Sequence, residues 1–130
     1  MTLYPTHSKG GINPNMQALV EKLSGETGIK YRQVLERTRN VRNNHELESQ
    51  RAKAVNVEGS VEVKDFDAEN VILFDNILLS GTSILHGAQK LKEAGAKNVF
   101  AVVLGVAEDY PGKKSENRNR SASSLMVDKD

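Results

Sequence analysis

The chain has 130 residues, 38% hydrophobic and 27% charged, which is one domain's worth with enough apolar content for a core. Eighteen Lys and Arg against 17 Asp and Glu leave a formal charge of +1, so a general polyanion binder is excluded and nucleic acid is not an expected partner. The absence of cysteine excludes a disulfide framework, a thiolate metal site and a cysteine nucleophile. The opening MTLYPTHSKGG has no signal pattern, and the longest apolar run, Val99 to Val106, falls far short of the ~20 residues of a membrane span. A cytoplasmic protein without membrane association is the expectation.

Leu3 to Pro5 reads as the end of a short strand, and THSKGGI as a loop. Asn13 is a favourable N-cap and Pro14 suits the first helical position. Met16, Leu19, Val20 and Leu23 follow at helical spacing, with Gly25 or Gly28 as the stop. Tyr31 to Leu35 reads as a short strand leading into a very polar stretch, 36–53. From Val55 to Val63 the odd positions are Val, Val, Gly, Val, Val and the even ones polar, which predicts a strand with one buried face. Gly59 on that face predicts a bulge or a close backbone neighbour. KDFDAEN is a turn.

Val71 to Asp75 shows no alternation, so it reads as a strand covered on both faces, as in a parallel sheet, and ending on Asp75. Residues 82–94 predict a helix with Ile84, Leu85, Ala88 and Leu91 on one side and Gly95 as its stop. Val99 to Val106 is a second fully apolar strand, which completes a βαβ unit with an expected right-handed crossover. From Glu108 onward the chain is polar and aperiodic, so residues 109–130 are expected to be a flexible tail behind a domain of residues 1–108. The fold class expected is α/β, Rossmann-like, with a compact, mostly parallel sheet flanked by helices.

The junction VILFDNILLSGTSI, residues 71–84, carries the chemistry. Ligands of open parallel sheets bind beyond the carboxyl ends of the strands. A helix starting there offers free N–H groups and the positive end of its dipole to a phosphate. Gly81 admits an anion close to the backbone, and Ser80, Thr82 and Ser83 can donate hydroxyl hydrogen bonds. Asp75 and Asn76 lie a few residues upstream. A carboxylate would repel the phosphate, so it accepts from sugar hydroxyls or supports a metal; phosphate cup and hydroxyl acceptor together describe a ribose 5-phosphate. Neither a P-loop nor a GxGxxG pattern is present.

The same segment resembles the phosphoribosyl-pyrophosphate (PRPP) signature of type I phosphoribosyltransferases: an apolar run, two acids, two apolar residues, a variable position, then Thr-Gly-x-Thr. NVEGSVEV, VLERTRNVRNNHELESQRAKAVN and LYPTHSKGGINPNMQALVEKL are similar to segments of the ComF-like, amidophosphoribosyltransferase-related group. The resemblance implies a PRTase fold in which Asp75 and Asn76 face the ribose hydroxyls as the catalytic pair. It implies that Leu79, Ser80, Gly81, Thr82 and Ser83 form the 5-phosphate loop. His7, Ser8 and Lys9 would lie in a pyrophosphate loop, and Arg39, Arg42, Arg51 or Lys53 would reach in from a mobile loop. Family members transfer the phosphoribosyl group from PRPP to a nitrogen acceptor, with Mg²⁺ carried on the pyrophosphate.

The chain departs from the pattern at Asn76, which replaces the second acid, and at Ser80 and Ser83, which replace threonines. It is also short, with no separate hood to select a base. A non-catalytic binding or regulatory module is therefore the alternative to a transferase, and incomplete cover of a small sheet makes a homodimer the expected assembly. His7, His45 and His86 are scattered, so no protein metal site is expected. Arg37, Arg39 and Arg42, balanced by Glu46 and Glu48, read as a solvated loop.

Overall fold

A computed structural model describes residues 1–43, 46–78, 81–107 and 125–127. In chain order the elements are β1 (Thr2–Leu3), α1 (Pro14–Thr27), β2 (Leu35–Arg37), α2 (Gln50–Val57), β3 (Val61–Val63), β4 (Asn70–Leu78), α3 (Thr82–Glu93), β5 (Asn98–Val106) and β6 (Leu125–Val127). The main sheet has the order β1-β4-β5-β6. β1, β4 and β5 are parallel, and β6 adds an antiparallel edge by pairing Val127 with Val99 and Leu125 with Ala101. β2 and β3 form a separate antiparallel pair. The chain is thus α/β, with a mostly parallel sheet flanked by helices.

The apolar run of β4 lacks alternation because both of its faces are covered, whereas β5 buries Val99, Ala101 and Val103 on one face and leaves Phe100 and Leu104 exposed on the other. On one face Val71, Leu73, Val99, Ala101 and Val103 pack with Ile84, Ala88 and Leu91 of α3. On the other, Leu3 and Phe74 pack with Met16 and Val20 of α1. Leu73 is fully buried, and truncating it to Ala would cost about 2–5 kcal/mol.

α1 forms where the sequence places it. The Asn13 side chain accepts from the N–H groups of Asn15 and Met16, at 3.0 and 3.2 Å, and Pro14 opens the helix. Of the two glycines offered as its stop, Gly28 ends it, in the left-handed region at φ 75°. Gly25 lies inside the last turns.

Five expectations need correction. The strand expected over 55–63 exists only at Val61–Val63. Residues 50–57 are helical, because Ser49 caps Ala52 N–H at 3.0 Å and the helix buries Lys53 and Val57, four residues apart, while Val55 faces solvent. Gly59, at φ 66°, belongs to the turn after that helix rather than to a bulge. The strand expected over 31–35 lies at 35–37, where Leu35 and Arg37 both point inward. β4 does not end on Asp75 but runs on to Leu78. Its pairing passes from Asp75↔Val103 to Ile77↔Gly105, skipping Asn76, whose N–H donates to the Asp75 carboxylate at 2.8 Å. Finally, Leu85 is exposed and does not share the buried side of α3.

Candidate functional site

A cavity of about 290 Å³ opens at the carboxyl end of β1 and β4, against the start of α3. Its wall includes Tyr4, Thr6, His7, Arg37, Arg42, Asp75, Asn76, Gly81, Thr82 and Ser83, with Met16, Val57 and Phe74 as apolar parts. This is where ligands of open parallel sheets sit.

The start of α3 differs from the starts of the other two helices. Asn13 caps α1 and Ser49 caps α2, each by a side-chain oxygen that takes up backbone N–H groups. α3 begins on Gly81, at φ 82°, with no side-chain cap bond. A left-handed conformation at this position suits glycine and strains other residues. A helix start of this kind presents N–H groups and the positive end of the helix dipole towards the cavity, which suits an anion.

Asp75 is half-buried on β4, in the same wall. Burial pushes its pKa up to about 6, opposed by the Asn76 N–H and by the positive charge of Arg37. It is thus a carboxylate at neutral pH that gains by accepting hydrogen bonds from hydroxyl groups. Asn76 beside it is exposed, with its amide oxygen accepting from Ile77 N–H at 2.8 Å.

Arg37, placed by sequence in a solvated loop, is instead fully buried. Its Nε donates to Thr6 carbonyl oxygen at 2.9 Å, one guanidinium nitrogen donates to Ser60 Oγ, and its Cζ lies 5.1 Å from the centroid of the Tyr4 ring. Sequence reasoning passed over Arg37, Tyr4 and His86. Arg37 had a usable signal: counting by two from the buried Leu35 puts it on the inner face of a strand. Tyr4 and His86 had none, since they are 82 residues apart in sequence and meet only through the fold.

The other expected site residues divide. His7 and Arg42 line the cavity, as do Gly81, Thr82 and Ser83. Ser8 and Lys9 are exposed on the loop above it, where Lys9 N–H donates to Asn40 Oδ1 at 2.7 Å and Val41 N–H donates to His7 carbonyl oxygen at 2.8 Å. Arg39 is turned away to the end of α2, donating to the carbonyls of Asn56 and Glu58 at 3.3 and 2.9 Å. Arg51 is exposed on α2 and Lys53 is buried beneath it, neither in the cavity wall. Leu79, Ser80 and His45 lie outside the described residues. Among the described residues no group of three His, Asp or Glu is placed to hold a metal ion, and no helix is long and apolar enough to cross a membrane.

Fold and cavity together define an α/β protein whose parallel sheet delivers an acid and an uncapped helix start to one pocket. The chain is similar to the ribose-phosphate pyrophosphokinase of Thermotoga maritima, 42% identical over 67 residues, which are 51% of this chain. It spans about a fifth of the length of that curated relative. No family model and no solved structure matches the chain. The similarity and the mostly parallel sheet agree with a PRPP-related fold of the phosphoribosyltransferase type.

Proposed function

We propose that the cavity binds the ribose 5-phosphate part of PRPP or of a nucleotide. The observation that carries this is the uncapped start of α3, which shares a cavity with Asp75. The phosphate accepts from the N–H groups following Gly81 and from the Ser83 hydroxyl, and from Thr82 Oγ1 once that hydroxyl turns away from Gln50; Leu79 and Ser80, assigned to the same loop, lie outside the described residues. The ribose hydroxyls donate to Asp75 and meet Asn76. His7, Ser8, Lys9 and Arg42 lie on the side where a pyrophosphate would extend. The site belongs to residues 1–108, and none of it is assigned to the tail, 109–130.

In the transferase form of this reading, a nitrogen nucleophile attacks the ribose C1. The C1–O bond to pyrophosphate breaks, the C1–N bond forms, and pyrophosphate leaves with the electron pair. Asp75 fixes the ribose and opposes the positive charge that develops on it. In this reading Mg²⁺ would be carried on the pyrophosphate oxygens, a hard ion on hard oxygens, and would help to neutralise the leaving group. The relative's name supports the ligand class. The ComF-like assignment and a homodimer belong to the same reading and rest on the motif resemblance and the small sheet.

A second reading, binding without transfer, is favoured by Asn76. It carries no charge where the signature has its second acid, and its amide oxygen is engaged by Ile77 N–H. Calorimetric titration of PRPP with Mg²⁺ tests the common part, with Asp75→Ala as control. Binding that the substitution abolishes supports the site, and pyrophosphate release on adding bases separates the transferase from the binding module. A folded protein that binds no PRPP refutes both.

A further inference from the structure

Tyr4 stands at the meeting point of every element that forms the proposed phosphate site. Its N–H donates to Phe74 carbonyl oxygen at 2.9 Å, which extends β1 along β4 to the residue just before Asp75. Its ring lies against α3 at Gly87, where even a Cβ would come within 2.9 Å of ring carbon Cδ2. Arg37 from β2 covers the ring, 5.1 Å from its centroid. Its hydroxyl lies 3.1 Å from Nδ1 of His86, whose ring stands edge-on to it, with centroids 6.2 Å apart and an interplanar angle of 75°.

His86 sits one helical turn after Ser83, on the same side of α3. The Tyr4–His86 bond therefore holds the first turn of α3 at a fixed height over the end of β4. Resting on the proposed ribose 5-phosphate site, we infer that Tyr4 and His86 are a positioning pair which sets the distance between the phosphate-accepting start of α3 and Asp75. Neither needs to touch the reacting atoms. In the pair as inferred, the phenol donates to Nδ1 and His86 carries its own proton on Nε2; Arg37, which can only donate, and the Ser83 hydroxyl are the other groups at the phenol oxygen. Burial, reinforced by Arg37 and Lys90, lowers the His86 pKa to about 4, so the ring is a neutral acceptor at physiological pH.

The test uses the whole chain and ribose 5-phosphate, which reaches both ends of the spacing without needing pyrophosphate. Tyr4→Phe keeps the ring packed on Gly87 and Arg37 and removes only the hydroxyl. His86→Leu removes the acceptor, whereas His86→Asn keeps one near the Nδ1 position. Tyr4→Phe and His86→Leu should each weaken ribose 5-phosphate by roughly three- to tenfold, the worth of one neutral hydrogen bond. His86→Asn should recover most of the loss, and nitrogen NMR of the wild type should show the Nε2–H tautomer. A purely structural role would lower the melting temperature of Tyr4→Phe without this rescue. Wild-type affinity in Tyr4→Phe overturns the pair, as does His86→Asn binding as weakly as His86→Leu. If His86→Leu does not fold, Tyr4→Phe decides alone. A wild type that binds neither ribose 5-phosphate nor PRPP overturns the site reading and the pair together, a result distinct from failure of the variants.

Discussion

Two regions face each other across the cavity and are held by opposite means. The junction from Asp75 to Ser83 continues the central strand and leads into α3, whose Ile84, Ala88 and Leu91 are in the core. The arm from Thr38 to Val57 is fixed mainly by polar contacts at the surface. Arg39 holds the end of α2, Asn56 exchanges two hydrogen bonds with the backbone of Arg42, and Gln50 accepts from Thr82 Oγ1 at 3.2 Å. Core packing of Phe74 before the junction and of Ile84, Ala88 and Leu91 after it anchors both of its ends, which makes this the firmer, rigid half-site. Exposed hydrogen bonds, each worth about 0.5–1.5 kcal/mol net, leave the arm the half that can adjust to a ligand.

The largest expected effect tests the rigid half. Asp75→Ala should lower PRPP affinity about a hundredfold, since two hydroxyl hydrogen bonds to a charged acceptor are lost. The same variant should not lose stability, because burial of that carboxylate already works against folding. Calorimetry and thermal unfolding on one sample decide the matter. Affinity and melting temperature falling together would make Asp75 a structural residue. Gly81→Val should also abolish binding, and the φ of 82° there adds about 1–2 kcal/mol of backbone strain to the steric block.

The next effect contrasts two arginines from the same polar stretch. Arg37→Met should cost about 2–4 kcal/mol in urea unfolding, because Ser60 and the Thr6 carbonyl lose a buried donor. Arg51→Met, on the exposed side of α2, should change stability by less than about 0.5 kcal/mol. Similar costs would dissolve the contrast between a buried cation and a solvated one.

Asp75 also gives the molecule a pH signature. Its pKa is about 6 when folded and near the ordinary carboxylate value when unfolded, so between roughly pH 4 and 6 the folded state holds a proton that the unfolded state has lost. Its contribution to stability is therefore full below about pH 4, declines as pH rises to about 6, and is constant above. Asp75→Asn should remove that decline, up to about 3 kcal/mol, in unfolding curves across the range. A wild type and variant with parallel pH profiles would place Asp75 in solvent.

These contrasts follow what the sequence could disclose. The junction was legible because a run of apolar residues without alternation has few solutions, and an acid, hydroxyls and glycine between it and a helix narrow them further. The N-cap at Asn13 was legible for the same local reason. The arm was not, because valines at 55, 57, 61 and 63 fit a strand by period, while the capping Ser49 and the burial of Lys53 with Val57 select a helix over the first half. Arg37 misled because charge outweighed position: its burial depends on Tyr4, Thr6 and Ser60, which only the tertiary fold assembles. The Tyr4–His86 contact leaves no trace in sequence spacing at all.

The smallest effect belongs to the arm and is local. Asn56→Ala removes both bonds to Arg42, the Arg42 N–H to Asn56 Oδ1 at 3.0 Å and the Asn56 Nδ2 to Arg42 carbonyl oxygen at 2.6 Å. Both are exposed, so water replaces them and the global unfolding free energy should move by less than about 1 kcal/mol. The loss should appear instead in the amide exchange of Arg42, whose N–H has its partner in Asn56, as roughly a tenfold loss of protection. Amides of Leu73 and Ala101 in the core strands should keep theirs. If the core amides lost protection equally, arm and junction would open as one unit, and the division into a rigid and an adjustable half-site would fail.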